Sequence, residues 1–89
     1  MSVEGDYSQI ADEQLDALAT GPDVGLYNAV LDACDLILGY PEAAQARSTA
    51  VTTTDGVRLR LPVAGHPPYK VFWSNNAGEL RVEAVFPHP

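Results

Sequence analysis

The chain has 89 residues, 46% of them hydrophobic, and a formal net charge of −7. This length predicts one domain, residues 1–89, with a small core, and the hydrophobic fraction excludes a wholly disordered protein. The single cysteine, Cys34, excludes an internal disulfide and a thiolate metal cluster. No apolar run approaches the roughly 20 residues that a membrane span needs, and no signal peptide is recognisable. The expected location is therefore the cytoplasm.

The negative charge is concentrated in the first half of the chain. Residues 1–48 contain 9 acidic residues against 1 basic residue, a sum of −8, whereas residues 49–89 contain 3 against 4, a sum of +1. Such acidity argues against nonspecific nucleic-acid binding, because phosphate affinity comes chiefly from Lys and Arg. The asymmetry still leaves room for a local basic face built by the second half: Arg58, Arg60, Lys70 and Arg81.

Two helices are predicted in the N-terminal half. Residues 1–9 are polar and are expected to be either frayed or a short edge strand. Residues 10–20 then carry one apolar stripe, and Gly21-Pro22 ends that helix. Asp23 is a suitable N-cap for a second helix over 25–38, whose broad apolar face indicates contact with both the first helix and a sheet.

The C-terminal half predicts strands. Residues 48–55 are rich in Thr and compatible with an extended strand, and 57–63 alternates apolar with basic residues. The runs 69–74 and 79–86 flank an Asn-Asn-Ala-Gly loop and predict a hairpin. The fold class expected is α+β, with two N-terminal helices packed on one face of a three- to four-stranded antiparallel sheet.

Strand alternation also predicts which side chains share a face. If Ser74 is opposite Glu79, Phe72 faces Arg81 and Lys70 faces Glu83 across the hairpin. On the last strand, the same alternation assigns one apolar face to Leu80, Val82, Ala84 and Phe86. The four basic residues then lie on the face turned away from the helices.

Two chemical patterns stand out on these predicted elements. Basic residues interleaved with the Phe72 ring suit single-stranded RNA, since they offer charge for phosphate and a flat surface for a base. The alternative is a solvated sheet face, which is polar in most antiparallel sheets.

The two histidines, His66 and His88, are candidates for proton transfer, and they approach each other if the loop before the hairpin folds back. Neither the histidines nor Cys34 has metal-ligand spacing, so no metal or cofactor is expected.

The order of elements resembles the RelE/ParE superfamily, the toxin components of bacterial type II toxin–antitoxin systems. The resemblance covers roughly residues 10–89: two helices, a linker ending in Pro41-Glu42, a strand, and a final apolar strand ending near His88. Its most specific part is the strand that reads Tyr-Lys-Val-Phe-Trp, between Gly65 and Trp73.

The resemblance implies a function and a set of site residues. RelE-type members are ribosome-dependent mRNA endonucleases whose exposed sheet binds the scissile phosphate, which implies the ribosome, mRNA and a cognate antitoxin as partners. By position, the implied catalytic residues are His88, Lys70 and Arg60. The implied RNA-binding residues are Arg58, Arg81 and Phe72.

Two alternatives stay open at the level of sequence. In the first, the chain is a catalytically inactive RelE-fold module whose acidic helices bind a basic protein partner. In the second, it follows the gyrase-directed ParE branch, which acts without cleaving RNA. The residues do not decide between an enzyme and a binding module.

Overall fold

The computed structural model describes residues 7–89, which form three helices followed by four strands. The helices are α1 (Gln9–Thr20), α2 (Val24–Gly39) and α3 (Pro41–Ala46). The strands are β1 (Thr49–Thr53), β2 (Gly56–Pro62), β3 (Tyr69–Asn76) and β4 (Glu79–Pro87). They pair antiparallel in the order β1-β2-β3-β4. The expected α+β class, with helices preceding an antiparallel sheet, is confirmed.

Polar side chains set where the helices begin. Asp23 caps α2, as the sequence predicts, with its Oδ1 accepting from Leu26 N at 2.9 Å. Ser8 caps α1 in the same way, accepting from Ala11 N at 3.0 Å. α3 begins with Pro41, whose missing N–H costs nothing in the first turn. Within residues 7–89 no helix is long and apolar enough to cross a membrane.

The core lies between the helices and one face of β2, β3 and β4. It comprises inward-facing residues of the three helices, of β2, β3 and β4, and of the loop after β2: Ala11, Leu26, Val30, Ala33, Cys34, Ile37, Ala44, Leu61, Val63, Val71, Trp73, Val82 and Val85. Trp73 is the largest fully buried side chain, and its Nε1 donates to Ser48 Oγ at 3.1 Å. The indole is therefore buried with its one polar atom satisfied.

The outer edge of β4 is covered by the start of α1. Tyr7 forms an isolated parallel bridge with Val82, and Ser8 N donates to Val82 O at 2.9 Å. Gln14 accepts a hydrogen bond from Val85 N farther along the same edge. Of the segment 1–9, expected to be frayed or an edge strand, residues 1–6 lie outside the described part of the chain. The remainder bridges to β4 and then begins the helix.

The hairpin register differs from the expected one. Asn76, not Ser74, is the partner of Glu79, so Ser74 is opposite Arg81. The turn contains only Ala77 and Gly78, with φ of 55° and 93°, and such a two-residue turn leaves both preceding asparagines in the strand. The assumed four-residue loop was wrong because it ended β3 two residues too early.

A β-bulge changes the faces of β4. Phe72 is opposite Ala84 and Trp73 is opposite Val82, so Glu83 is the extra residue. Beyond the bulge, Val85 enters the core, whereas Ala84 and Phe86 turn to the face away from the helices. The single apolar face expected from strict alternation along β4 was therefore wrong in its second half.

Candidate functional site

The helices pack on one face of the sheet, and no element of residues 7–89 packs on the other, the free face, which carries the candidate site. Arg60 is opposite Phe72 on the neighbouring strand, and Lys70 is opposite Phe86. Arg58 shares the face of Arg60 two residues earlier on β2. The alternation of each strand thus brings cations and aromatic rings to the same side of three adjacent strands.

Three rings form a small aromatic cluster on this free face. Phe72 and Phe86 stack with ring centroids 4.8 Å apart and planes 7° apart. His88 stands edge-on to both, at 5.3 Å from Phe72 and 6.0 Å from Phe86. The cluster exists because the bulge turns Phe86 outward, next to the ring of the adjacent strand.

The exposed ring of this cluster is Phe86. Phe72, the predicted base-contacting residue, is only 9% exposed because Phe86 covers it, whereas Phe86 is 37% exposed. A base stacking on this face would therefore meet Phe86, with Phe72 as its support. Sequence reasoning assigned Phe86 to the core because the bulge leaves no residue-type signal in the chain.

His88 is held firmly after the end of β4. Its N donates to Pro68 O at 2.9 Å, and its own carbonyl oxygen accepts from Lys70 Nζ at 2.9 Å. The same Lys70 Nζ donates to Pro68 O at 3.1 Å. The lysine thereby joins the chain terminus to the loop before β3, so the imidazole has a defined place.

Arg60 makes the most informative contact of the site. Its Nη1 lies 3.0 Å from His88 Nδ1. A guanidinium can only donate, so Nδ1 is the acceptor in this hydrogen bond. Arg60, Lys70 and His88, the three implied catalytic residues, are thus joined directly by hydrogen bonds.

A second polar group lies farther along the free face, beside the bulge. Ser74 Oγ donates to Glu83 Oε2 at 2.8 Å, and Arg58 Nε lies 3.9 Å from the same oxygen. Sequence reasoning placed Glu83 opposite Lys70, but the bulge and the shifted register place it between Ser74 and Arg58. Arg58 therefore has its charge partly balanced by a carboxylate.

The remaining predicted residues are distributed as follows. Arg81 is exposed and is opposite Ser74, at the end of the face farthest from His88. His66 lies next to Gly25 at the start of α2, away from the free face, so the structure does not bring the two histidines together. Among residues 7–89, no three His, Cys, Asp or Glu side chains are grouped to hold a metal ion.

The site is therefore an open face with two cations, one imidazole and one exposed ring in contact. Cationic groups beside an imidazole can bind a phosphate and move a proton. The ring offers a stacking surface for a base.

No family model, curated protein or solved structure matches this chain.

Proposed function

We propose that this protein is a RelE-like toxin of a type II toxin–antitoxin system that cleaves mRNA on the ribosome. The observation that carries the proposal is the contact of Arg60 Nη1 with His88 Nδ1 at 3.0 Å, with Lys70 Nζ held on the His88 carbonyl. This arrangement supports the proposal because it gathers an imidazole nitrogen and two cations, groups that can accept a proton and bind a phosphate, on the free face of the sheet. A ribosome-directed enzyme would act in the cytoplasm, with an antitoxin as its inhibitor.

The proposed reaction is transesterification of the RNA backbone. When a phosphate draws Arg60 away, His88 Nδ1 is free to take the proton of the ribose 2′-hydroxyl. The 2′-oxygen then bonds to phosphorus while the bond from phosphorus to the 5′-oxygen breaks. The imidazolium returns the proton to that 5′-oxygen, leaving a 2′,3′-cyclic phosphate. Arg60 and Lys70 stabilise the negative charge that develops on the phosphate.

The second candidate is a binding module that does no chemistry. The observation that favours it is the exposure of the acidic side chains on the helical layer: Asp12, Glu13, Asp16, Asp32, Asp35 and Glu42. That surface suits a basic protein better than RNA, since like charges repel the phosphate backbone. In this case the sheet face would serve only to position the residues that follow β4.

Expression in a bacterial host separates the two candidates. We expect growth arrest with loss of translation, and relief of the arrest by His88→Ala or Lys70→Ala, each lowering mRNA cleavage roughly 100-fold or more. The matched control is His66→Ala, because that histidine lies away from the free face and should leave the arrest intact. The measurements are culture density, labelled amino-acid incorporation and mapping of mRNA ends.

Growth like that of an empty vector, with folded protein present, would instead support the binding module. Arrest accompanied by loss of DNA supercoiling, and no new mRNA ends, would point to gyrase as the target. A neighbouring gene encoding a small DNA-binding protein that neutralises the arrest would support the toxin–antitoxin assignment.

A further inference from the structure

The first strand of the sheet has an unpaired outer edge. β1 pairs with β2 on one side, and no described strand or backbone group pairs with its other side. Its residues, Thr-Ala-Val-Thr-Thr, are exposed except for the half-buried Val51. Edge strands are usually protected by a charge, a proline or a bulge, and β1 has none of the three.

The register with β2 shows which backbone groups are free. Thr53 is opposite Gly56 across a two-residue turn, and such a turn closes on a hydrogen-bonded pair. Hydrogen-bonded and free positions alternate along an antiparallel strand. The N–H and C=O groups of Ala50 and Thr52 therefore point outward, away from β2.

These groups are complementary to those of a second copy of the same strand. When two β1 strands run antiparallel with Val51 opposite Val51, Ala50 of one copy meets Thr52 of the other. Each such pair exchanges two hydrogen bonds, so this register satisfies all four outward groups of each strand. Val51 then meets its own copy at a non-hydrogen-bonded position.

The charges at the two ends of the strand favour antiparallel pairing with a second copy. Arg47, the C-cap of α3, lies two residues before β1, and Asp55 lies in the turn two residues after it, so antiparallel pairing places the basic end of each strand beside the acidic end of the other. Both side chains are exposed, and neither has an ion-pair partner within residues 7–89. Two Arg–Asp pairs would thus flank the paired strands symmetrically, as a two-fold interface requires.

The exposed apolar surface of the hairpin supplies a further reason. Val57 is 55% exposed and lies opposite Thr52, beyond the reach of the helices. On the same face Ala50 is opposite Leu59. In the paired register, Val57 and Thr52 of one copy continue into Ala50 and Leu59 of the other, so a largely apolar row crosses between the two copies.

We propose that the protein forms a symmetric homodimer through β1, which joins the two sheets into one antiparallel sheet of eight strands. A two-fold axis perpendicular to the sheet keeps both free faces on the same side. The dimer would therefore present two copies of the His88 cluster on one surface. The proposal rests on the free edge of β1 and on the surfaces beside it, and it does not depend on cleavage of RNA.

The first test is crosslinking through introduced cysteines. In the proposed dimer the two Val51 residues are opposite each other at a non-hydrogen-bonded position. Cα atoms at such a position lie about 4.5 Å apart, within disulfide range, so Val51→Cys should crosslink to its copy under diamide. The matched control is Thr49→Cys on the same face, whose two copies would be about 13 Å apart, four residues along the strand. We expect Val51→Cys to crosslink at least tenfold faster than Thr49→Cys on non-reducing gels. The native Cys34 is buried and should not crosslink.

The second test uses sedimentation of charge-reversed variants. Wild-type protein should show a concentration-dependent dimer between about 10 µM and 1 mM, as small interfaces do. Arg47→Asp and Asp55→Arg should each weaken association roughly tenfold, because each homodimer then places like charges opposite one another. An equimolar mixture of the two variants restores opposite charges at both positions and should dimerise again.

Some outcomes would overturn the proposal. Wild-type protein that stays monomeric at about 1 mM excludes the dimer. Equal crosslinking rates for the two cysteine variants, or a dimer indifferent to both charge reversals, excludes this interface. None of these readouts measures RNA cleavage, so failure here is distinguishable from failure of the proposed function.

Discussion

Cys34 is the residue whose chemistry the fold alters most clearly. It is fully buried in α2 among apolar neighbours, as expected for a small core residue. Burial raises the pKa of its thiol from 9.0 to about 11, an effect only partly offset by a hydrogen bond with Tyr7. The neutral thiol is a poor nucleophile, which makes a catalytic or redox role for this residue unattractive.

This raised pKa predicts a loss of stability in alkaline solution. Because the folded pKa lies above the unfolded one, the contribution of Cys34 is fully present below pH 9.0 and is lost as the pH rises toward about 11. We expect the free energy of unfolding to fall there by on the order of 1 kcal/mol per pH unit. Urea denaturation of wild type and Cys34→Ala measures this. Parallel pH profiles for the two proteins would contradict it.

At the scale of elements, the β3–β4 hairpin decides the composition of the free face. Its two-residue turn sets the register, and the bulge at Glu83 sets which residues of β4 face outward. Both features act on the whole strand, because a shift of one residue exchanges the two faces. The placement of Phe86 against Phe72 and His88 follows from them.

The turn itself offers a prediction about stability. Ala77 has a φ of 55°, which a residue with a Cβ adopts at a cost, whereas Asn tolerates it well. Ala77→Asn creates the Asn-Gly sequence favoured in such turns, and we expect stabilisation by about 0.5–1 kcal/mol. Ala64→Asn, at an exposed loop position without positive φ, is the control and should change little. Thermal unfolding measures both, and an equal effect of the two changes would refute the explanation.

At the scale of the whole molecule, charge is divided between two layers. The helical layer is exposed and acidic, and the free face of the sheet carries Arg58, Arg60, Lys70 and Arg81. The protein measures only 36 × 31 × 25 Å, so at low salt the acidic layer repels any nucleic acid that approaches the sheet. Binding of RNA would therefore use few phosphate contacts and a restricted direction of approach.

This division predicts a shallow salt dependence for RNA binding. Two to four phosphate contacts correspond to a slope of about −1.4 to −2.8 in log affinity against log salt for a single strand. Lys70→Gln should reduce the magnitude of that slope by about 0.7, whereas Arg47→Gln, at a residue that lines a cavity with α2 on the helical side of the sheet, should leave it unchanged. Fluorescence anisotropy with a short labelled RNA measures both. A slope near zero would remove the phosphate-binding role of the face.

Much of the fold could be predicted from local patterns. The stripes of α1 and α2, the cap at Asp23 and the alternation of β2 are properties of neighbouring residues, and they determined the α+β class. The same patterns placed Arg60 and Lys70 on the free face of the sheet. Periodicity within one element is enough for such predictions, because each depends only on side chains a few positions apart.

The tertiary structure alone decided how the site is assembled. The contact of Arg60 with His88 spans 28 residues, and the bulge that exposes Phe86 arises from pairing between two strands. The free edge of β1 likewise follows from the order of strands in the sheet. These features depend on which segments meet and in what register, and that is set by the packing of the whole chain rather than by any local run of residues.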